Sequence, residues 1–178
     1  MTLRLLLAAA ATSLTLWLSG CASTPVVADY AAETPVLDLK RYFNGPLTAH
    51  GIFTDRSGKV VRRFTVAMTG TWNGNEGVLD ERFTYSDGKT ERRVWRLTDH
   101  GGGRYSGQAD DVVGVAQGQA SGNALNWRYT LKLPVDGSVY EVQFDDWMFL
   151  MDERVMLNKA RMSKFGITLG EVTLAFYR

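Results

Sequence analysis

Apolar residues follow two different patterns along this chain. Residues 5–18 form a continuous run of apolar and small residues. From residue 46 onward, apolar and polar residues alternate in short stretches that are separated by Gly, Asn, Asp and Ser. A period of two is typical of β-strands with one buried face, because successive side chains point to opposite sides of a strand.

Ten stretches have this strand-like alternation, and turn sequences of the type that closes hairpins connect them. The predicted strands are Leu47–Thr54, Lys59–Thr71, Gly77–Tyr85, Thr90–Asp99, Gly103–Asp110, Val113–Ser121, Ala124–Leu133, Ser138–Met151, Arg154–Ser163 and Ile167–Arg178. Consecutive hairpins form a meander, and about eight to ten antiparallel strands usually close into an up-and-down barrel. We therefore predict an all-β fold, an antiparallel up-and-down barrel of about 8–10 strands.

One short helix is predicted before the barrel. Thr34-Pro35 fits an N-cap followed by proline at the first helical position, and Asn44-Gly45-Pro46 ends the helix, which gives residues 35–43. The preceding residues, 22–34, are small and polar, and they predict a flexible linker.

The apolar N-terminal run indicates export. Arg4 and the apolar residues 5–18 have the layout of a secretory signal segment, and the run is too short for a comfortable membrane span. Leu18-Ser19-Gly20-Cys21 resembles the bacterial lipobox, in which the cysteine receives lipid and becomes the first residue of the mature chain. Cys21 is the single cysteine of the sequence, so it has no disulfide partner. We predict a signal peptide over residues 1–20, a lipidated tether over 21–34 and a barrel domain over 35–178.

Charge limits the partners of the mature protein. The sequence has 20 Lys and Arg against 19 Asp and Glu, and loss of Arg4 with the signal peptide leaves a formally neutral chain. A neutral domain does not favour nucleic acid, and it lacks the polybasic patch that binds anionic lipid. We expect attachment to the membrane through lipid on Cys21. By resemblance to enterobacterial sorting, Ala22 favours the outer membrane, with the protein facing the periplasm.

Sequence motifs for catalysis and metal binding are weak. His50 and His100 are the two histidines, and their surroundings contain no zinc-ligand spacing. A Ser-His-Asp triad stays open, although no Gly-x-Ser-x-Gly elbow is present. Neither the doublet Asp110-Asp111 nor the doublet Asp145-Asp146 can act as a catalytic pair by itself, because adjacent strand residues point to opposite faces. We predict no cofactor and no metal, and the sequence does not establish an enzyme.

Several polar residues interrupt the apolar faces of the predicted strands. Arg62, Glu81, Arg93, Asp146 and Asn158 would place both signs of charge inside the barrel. Such a group forms an internal ion-pair network, anchors the head group of a ligand, or performs catalysis. The predicted ligand-binding residues are Arg62, Glu81, Arg93, Trp95, Trp127, Tyr129, Phe144, Asp146, Met148 and Asn158, and Trp72 is a further candidate for the wall.

The segment 106–122 is unusually rich in glycine and alanine. Small residues on successive positions either open room for a ligand or allow a tightly packed, thin wall. The sequence leaves both alternatives open.

Three motifs resemble a known family. They are Asp38-Leu-Lys-Arg-Tyr42-Phe43-Asn44-Gly45-Pro-Leu47, Asp146-Trp147-Met148 and Lys164-Phe165-Gly166-Ile-Thr-Leu-Gly170-Glu171-Val172. The chain resembles a family of bacterial lipoproteins classed as a domain of unknown function, for which a lipocalin-like barrel is implied. A short helix followed by Gly-x-Leu is similar to the start of lipocalins, where Leu47 would replace a tryptophan.

Together these features predict a periplasmic lipoprotein of the outer membrane that binds a hydrophobic or amphipathic ligand, such as a fatty acid or lipid, inside its barrel. One alternative is a structural or assembly lipoprotein with a packed barrel, whose apolar stretch Trp147–Met151 binds another envelope protein. A third is a hydrolase or isomerase that uses Arg62, Glu81 and Asp146.

Overall fold

The structure, a computed structural model, describes residues 24–135 and 137–178. A 3₁₀ helix, Val27–Tyr30, and one α-helix, α1 (Leu39–Tyr42), precede ten strands. These are β1 (Gly45–Asp55), β2 (Val60–Asn73), β3 (Glu76–Tyr85), β4 (Thr90–Gly101), β5 (Arg104–Gln108), β6 (Val112–Ser121), β7 (Ala124–Val135), β8 (Ser138–Leu150), β9 (Val155–Lys164) and β10 (Ile167–Tyr177). The predicted signal peptide and Cys21 lie outside the described residues.

All ten strands belong to one closed antiparallel barrel. Each strand pairs with its neighbours in sequence, and β1 pairs with β10 from Thr48 opposite Tyr177 to Asp55 opposite Gly170. The predicted up-and-down barrel is confirmed, and the ends of the observed strands differ from the predicted ones by at most two residues. Period-two alternation was sufficient to predict the strands because their inner and outer faces differ in polarity along most of their length.

Helix α1 closes one end of the barrel, which we call the plug end. The predicted start at Pro35 is wrong: α1 begins at Leu39, and its N-cap is Asp38, whose Oδ1 accepts a hydrogen bond from the Arg41 amide at 3.1 Å. Leu39, Tyr42 and the following Phe43 are buried in the barrel mouth. Among the described residues, no helix has the length and apolar character that crossing a membrane requires.

Hydrogen bonds from Arg178 hold α1 in place at the plug end. The Arg178 guanidinium donates to the carbonyl of Arg41 at 2.7 Å and to that of Asn44 at 2.9 Å. The Tyr42 hydroxyl donates to the Arg154 carbonyl, which begins the approach to β9, at 3.0 Å. Helix α1 is therefore tied to both of the last strands.

The segment before α1 is packed on the barrel, whereas the sequence predicted a flexible linker over residues 22–34. The 3₁₀ helix contacts β6 and β7, and Val27 is buried. The Tyr30 ring lies 5.8 Å from the Trp147 ring and 5.2 Å from the Phe149 ring, centroid to centroid. The apolar outer face of β8 is thus covered by the chain's own N-terminal segment.

Small residues in β5 and β6 make a thin wall. A Cβ atom added at Gly107 or Gly118 would clash with the Trp127 indole, which lies against the inner side of these strands. Of the two alternatives that the sequence left open, the structure supports close packing. The small side chains make room for a tryptophan of the barrel interior.

We predict that Gly118→Ala destabilises the protein by about 1–3 kcal/mol, because the added methyl group overpacks the contact with Trp127. The backbone of Gly118 is not in the left-handed region, so the effect would come from packing. Urea unfolding measures it. Gln117→Ala, on the exposed outer face of the same strand, should change stability by less than about 0.5 kcal/mol and is the matched control. Equal stability of the two variants would contradict the packing account.

Candidate functional site

The barrel encloses a cavity of about 510 Å³. It extends from Leu39 and Phe43 at the plug end to Val61 and Val135 at the opposite end, which we call the open end. The volume lies within the range of about 300–1,000 Å³ that is usual for small-molecule sites. The interior is therefore only partly filled by side chains.

All ten residues predicted from the sequence as ligand-binding candidates line this cavity. They are Arg62, Glu81, Arg93, Trp95, Trp127, Tyr129, Phe144, Asp146, Met148 and Asn158. Whether they bind a ligand stays a prediction. Trp72 lies outside the lining: it covers Gly77, and its indole N–H donates to the Phe43 carbonyl at 3.3 Å.

Aromatic side chains form one continuous part of the cavity wall. The Trp95 ring meets Trp127 edge-on at 5.7 Å and Tyr129 edge-on at 5.4 Å, and Tyr129 stacks on Phe144 at 4.9 Å. Such edge and stacked contacts add to the stabilisation from burial. They also hold these rings in fixed orientations around the cavity.

One arginine is the centre of the interior charges. Arg93 Nη2 lies 2.8 Å from Asp111 Oδ2, and Arg93 Nε donates to the same oxygen at 2.8 Å. Arg93 Nη1 lies 3.9 Å from Glu81 Oε2. Burial lowers the pKa of Arg93, but the charges of Glu81 and Asp111 outweigh it, so the net shift is upward. Arg93 therefore stays protonated.

Asp111 was not among the predicted ligand-binding residues, and the sequence treated the doublet Asp110-Asp111 as adjacent strand residues. That assignment is wrong, because both residues lie in the turn between β5 and β6, where alternation assigns no face. β5 is short and its pairing with β4 begins only at Arg96 opposite Gln108, so the part of β4 that carries Arg93 has no partner on that side. The turn after β5 fills this gap, and the Lys132 amide donates to the Asp111 carbonyl at 2.7 Å. That position brings the Asp111 carboxylate to Arg93.

Two interior carboxyl oxygens have no hydrogen-bond partner among the described residues: Glu81 Oε2 and Asp146 Oδ1. Asp146 is 7% exposed, and the Glu81 side chain is 12% exposed. Burial raises the pKa of Glu81 to about 7, against the opposing effect of the Arg93 charge. Burial, with the charge of Asp145, raises the pKa of Asp146 to about 8. Both groups therefore exchange protons near neutral pH.

The other two polar candidates lie apart from this cluster. Arg62 is at the open end, where its guanidinium stacks 3.6 Å from the centre of the Tyr85 ring and pairs with Asp87 at 3.1 Å. Asn158 is buried, and its amide donates to the Trp147 carbonyl at 3.3 Å. The structure thus brings Glu81 and Arg93 together, but Arg62 has its own carboxylate partner.

Asp145 and Asp146 point to opposite sides of β8, as alternation predicts. Asp145 lies on the outer wall, 3.2 Å from Arg128 and 3.1 Å from Arg161. Burial raises the pKa of Asp145, but hydrogen bonds from Asn126 and Arg128 outweigh it and leave the pKa below its usual value. Neighbouring carboxyl groups of one strand therefore have opposite pKa shifts.

The histidines lie outside the cavity lining. His100 Nε2 is 2.7 Å from Ser106 Oγ on the barrel surface, and no described side chain forms a hydrogen bond with its other ring nitrogen. The described residues contain no group of three or more His, Cys, Asp or Glu side chains arranged to hold a metal ion.

Fold and cavity together define a closed antiparallel β-barrel with an apolar interior and a small buried group of charges. The chain belongs to a family described as protein of unknown function, DUF3833, whose model matches residues 15–178. No curated protein matches the chain. A de novo designed fluorescence-activating β-barrel is similar, with a TM-score of 0.41 and 15% sequence identity over 80% of this chain and 98% of that chain.

The raised pKa values of the two interior carboxyl groups predict a loss of stability with rising pH. Their ordinary values are 3.8 for Asp146 and 4.5 for Glu81, so the folded protein binds protons more tightly than the unfolded chain. The stabilisation from these protons is fully present below about pH 4 and decreases by at most about 1.4 kcal/mol per pH unit and group, until it is lost above about pH 7 for Glu81 and about pH 8 for Asp146.

Urea unfolding between pH 5 and pH 9 tests this prediction. Asp146→Asn imitates the protonated carboxyl, so it should reduce the loss of stability and make the protein more stable than the wild type at pH 9. Glu141→Gln, which changes an exposed carboxylate on the outer face of the same strand, is the control and should give no such gain. Lower stability of Asp146→Asn than wild type across this range would show that the carboxylate acts as a structural ion pair.

Proposed function

We propose that this protein is an outer-membrane lipoprotein that faces the periplasm and binds a hydrophobic or amphipathic small molecule in its barrel. The observation that carries the proposal is the cavity of about 510 Å³, which reaches from the plug end to the open end. Its wall is mostly apolar and aromatic, and few of the lining residues are charged. Sites of this composition favour ligands with an acyl chain or ring system and one polar group.

The open end provides a route for such a ligand. At the plug end, Leu39 and Phe43 close the cavity. At the open end the lining residues Val61 and Val135 are themselves partly exposed to solvent, at 49% and 42%. A molecule that enters between the hairpins at this end would meet the aromatic wall before it reaches α1.

Attachment to the membrane rests on Cys21 and the preceding apolar run. Only residues 22–26 separate Cys21 from the 3₁₀ helix that packs on β6 and β7. Five residues span at most about 18 Å when fully extended. With lipid on Cys21, the barrel would therefore be held close to the bilayer surface, on a shorter linker than the sequence indicated.

The two alternative functions have less support. A structural lipoprotein was expected to present Trp147–Met151 to another protein, but Tyr30 packs against Trp147 and Phe149 on that face. A hydrolase or isomerase was expected to use Arg62 with Glu81 and Asp146, but Arg62 pairs with Asp87 at the open end.

We predict that Leu133→Trp weakens binding of an apolar fluorescent probe, N-phenyl-1-naphthylamine, at least tenfold, because the larger side chain occupies the cavity near the open end. Leu133 lines the cavity, whereas Lys132, its neighbour on β7, is exposed on the outer face. Lys132→Trp should therefore bind the probe like the wild type. Circular dichroism would verify that both variants are folded. Probe binding that is equal in the two variants, or absent from the wild type, would contradict the proposal.

A second prediction concerns the anchor. Cys21→Ala should transfer the protein from the membrane fraction to the soluble periplasmic fraction, because the acylated thiol would be lost. Fractionation followed by immunodetection measures this, and an unchanged circular dichroism spectrum would show that the barrel is intact. Persistent membrane association of Cys21→Ala would contradict lipidation at this residue.

A further inference from the structure

Acidic groups outnumber basic ones in the interior. A single arginine, Arg93, lies near Glu81 and Asp146 of the cavity lining and is paired with Asp111, whose side chain is 38% exposed. The other lining arginine, Arg62, lies at the open end and is paired with Asp87. With all groups ionised, the cluster around Arg93 has an excess of negative charge.

Arg93 is already engaged by protein groups. Its guanidinium contacts Asp111 twice at 2.8 Å and lies within 3.9 Å of Glu81. An incoming anion would have to compete with Asp111 for this charge. Arg93 is therefore a poor receptor for a carboxylate or phosphate head group.

The carboxyl groups, in contrast, have unused acceptor capacity. Glu81 Oε2 and Asp146 Oδ1 are buried without a hydrogen-bond partner among the described residues, and both side chains line the cavity. Arg93 Nη1 is 3.9 Å from Glu81 Oε2, which is within ion-pair range but too far for a hydrogen bond. A buried polar atom without a partner costs free energy, and a ligand that donates a hydrogen bond would remove that cost. Asp146, at 7% exposure, is also largely shielded from competing solvent.

The aromatic wall favours the same kind of ligand. Trp95, Trp127 and Tyr129 lie in the lining beside these carboxyl groups, and Trp95 contacts both of the other rings. The faces of aromatic rings carry partial negative charge and attract cations. Carboxyl groups combined with tryptophan and tyrosine rings are thus a suitable environment for an ammonium group.

We propose that the cavity selects an amphiphile with a cationic head group, a protonated amine, which Asp146 and Glu81 bind while the apolar part occupies the rest of the barrel. This inference deepens the proposed function and rests on it. It also narrows the sequence-based expectation of a fatty acid, because a free carboxylate would meet two carboxyl groups and an arginine that is already paired.

A cationic head group would make the affinity for the ligand rise with pH. The groups that face Asp146 are Glu81 on β3, Arg93 on β4 and Tyr129 on β7, with Asp145 beside it on β8. Glu81 faces Arg93, and Asp111 in the turn after β5 and Asp80 on β3 add negative charge near it. A bound cation stabilises the ionised carboxyl groups, so binding releases protons and affinity rises from pH 6 to pH 9. A bound carboxylate requires protonated carboxyl groups, so its affinity falls over the same range. An alkylamine stays protonated throughout, as lysine does.

Three probes with the same chain test the head group: dodecylamine, dodecanol and dodecanoate, each titrated into the detergent-free protein below its micelle concentration. We expect dodecylamine to bind at least tenfold more tightly than dodecanoate at pH 7.5, with proton release measured by calorimetry in buffers of different ionisation enthalpy. Asp146→Asn and Glu81→Gln should each weaken dodecylamine at least tenfold and leave dodecanol within threefold. Glu141→Gln, on the exposed outer face of β8, should bind all three like the wild type.

The outcomes separate the two proposals. Equal binding of all three probes, or tighter binding of dodecanoate with affinity that falls as pH rises, would overturn the cationic head group and leave the apolar cavity as the ligand site. Dodecylamine binding that is unaffected by both Asp146→Asn and Glu81→Gln would also overturn it. Failure of the protein to bind any of the three probes would overturn the proposed function as well.

Discussion

Closure of the sheet by the pairing of β1 with β10 is the constraint on which the rest of the structure depends. It joins the first strand to the last and leaves no unpaired sheet edge between them. The side chains of this closed ten-stranded barrel do not fill its interior, and a cavity is left. Helix α1 covers one end of that cavity. The contacts of Arg178 with the carbonyls of Arg41 and Asn44 join the end of β10 to the plug, so closure and plugging stabilise each other.

The barrel interior is not purely apolar, because it contains a small group of charged residues around Arg93. The ion pairs of Arg93 with Asp111 and Glu81 tie β4 to β3 and to the turn after β5, which is where the wall lacks strand pairing. Asp146 has no comparable partner and is held largely buried by β8. A folded chain that keeps such a group gives up some stability, and the proposed role in ligand binding would be a physical reason for that loss.

The outer surface near the plug end has a different role. Tyr30 covers Trp147 and Phe149, and the 3₁₀ helix buries Val27 against β6 and β7. The N-terminal segment thus acts as a part of the barrel wall. If Cys21 carries lipid, as proposed, this segment would hold the plug end of the barrel near the membrane anchor, and the opposite, open end would be free to exchange the proposed ligand.

The sequence by itself determined the strands, their order and the inward faces, because period-two alternation and hairpin turns are local properties of the chain. It therefore predicted the ten strands and placed residues such as Trp127, Tyr129 and Asp146 on inward faces. It did not determine the start of α1, the docking of Tyr30 or the partner of Arg93, because each depends on contacts between segments distant in sequence. Whether the glycines of β5 and β6 enclosed open space or the Trp127 indole was likewise decided only by the tertiary structure, since side-chain volume on one strand is filled from another.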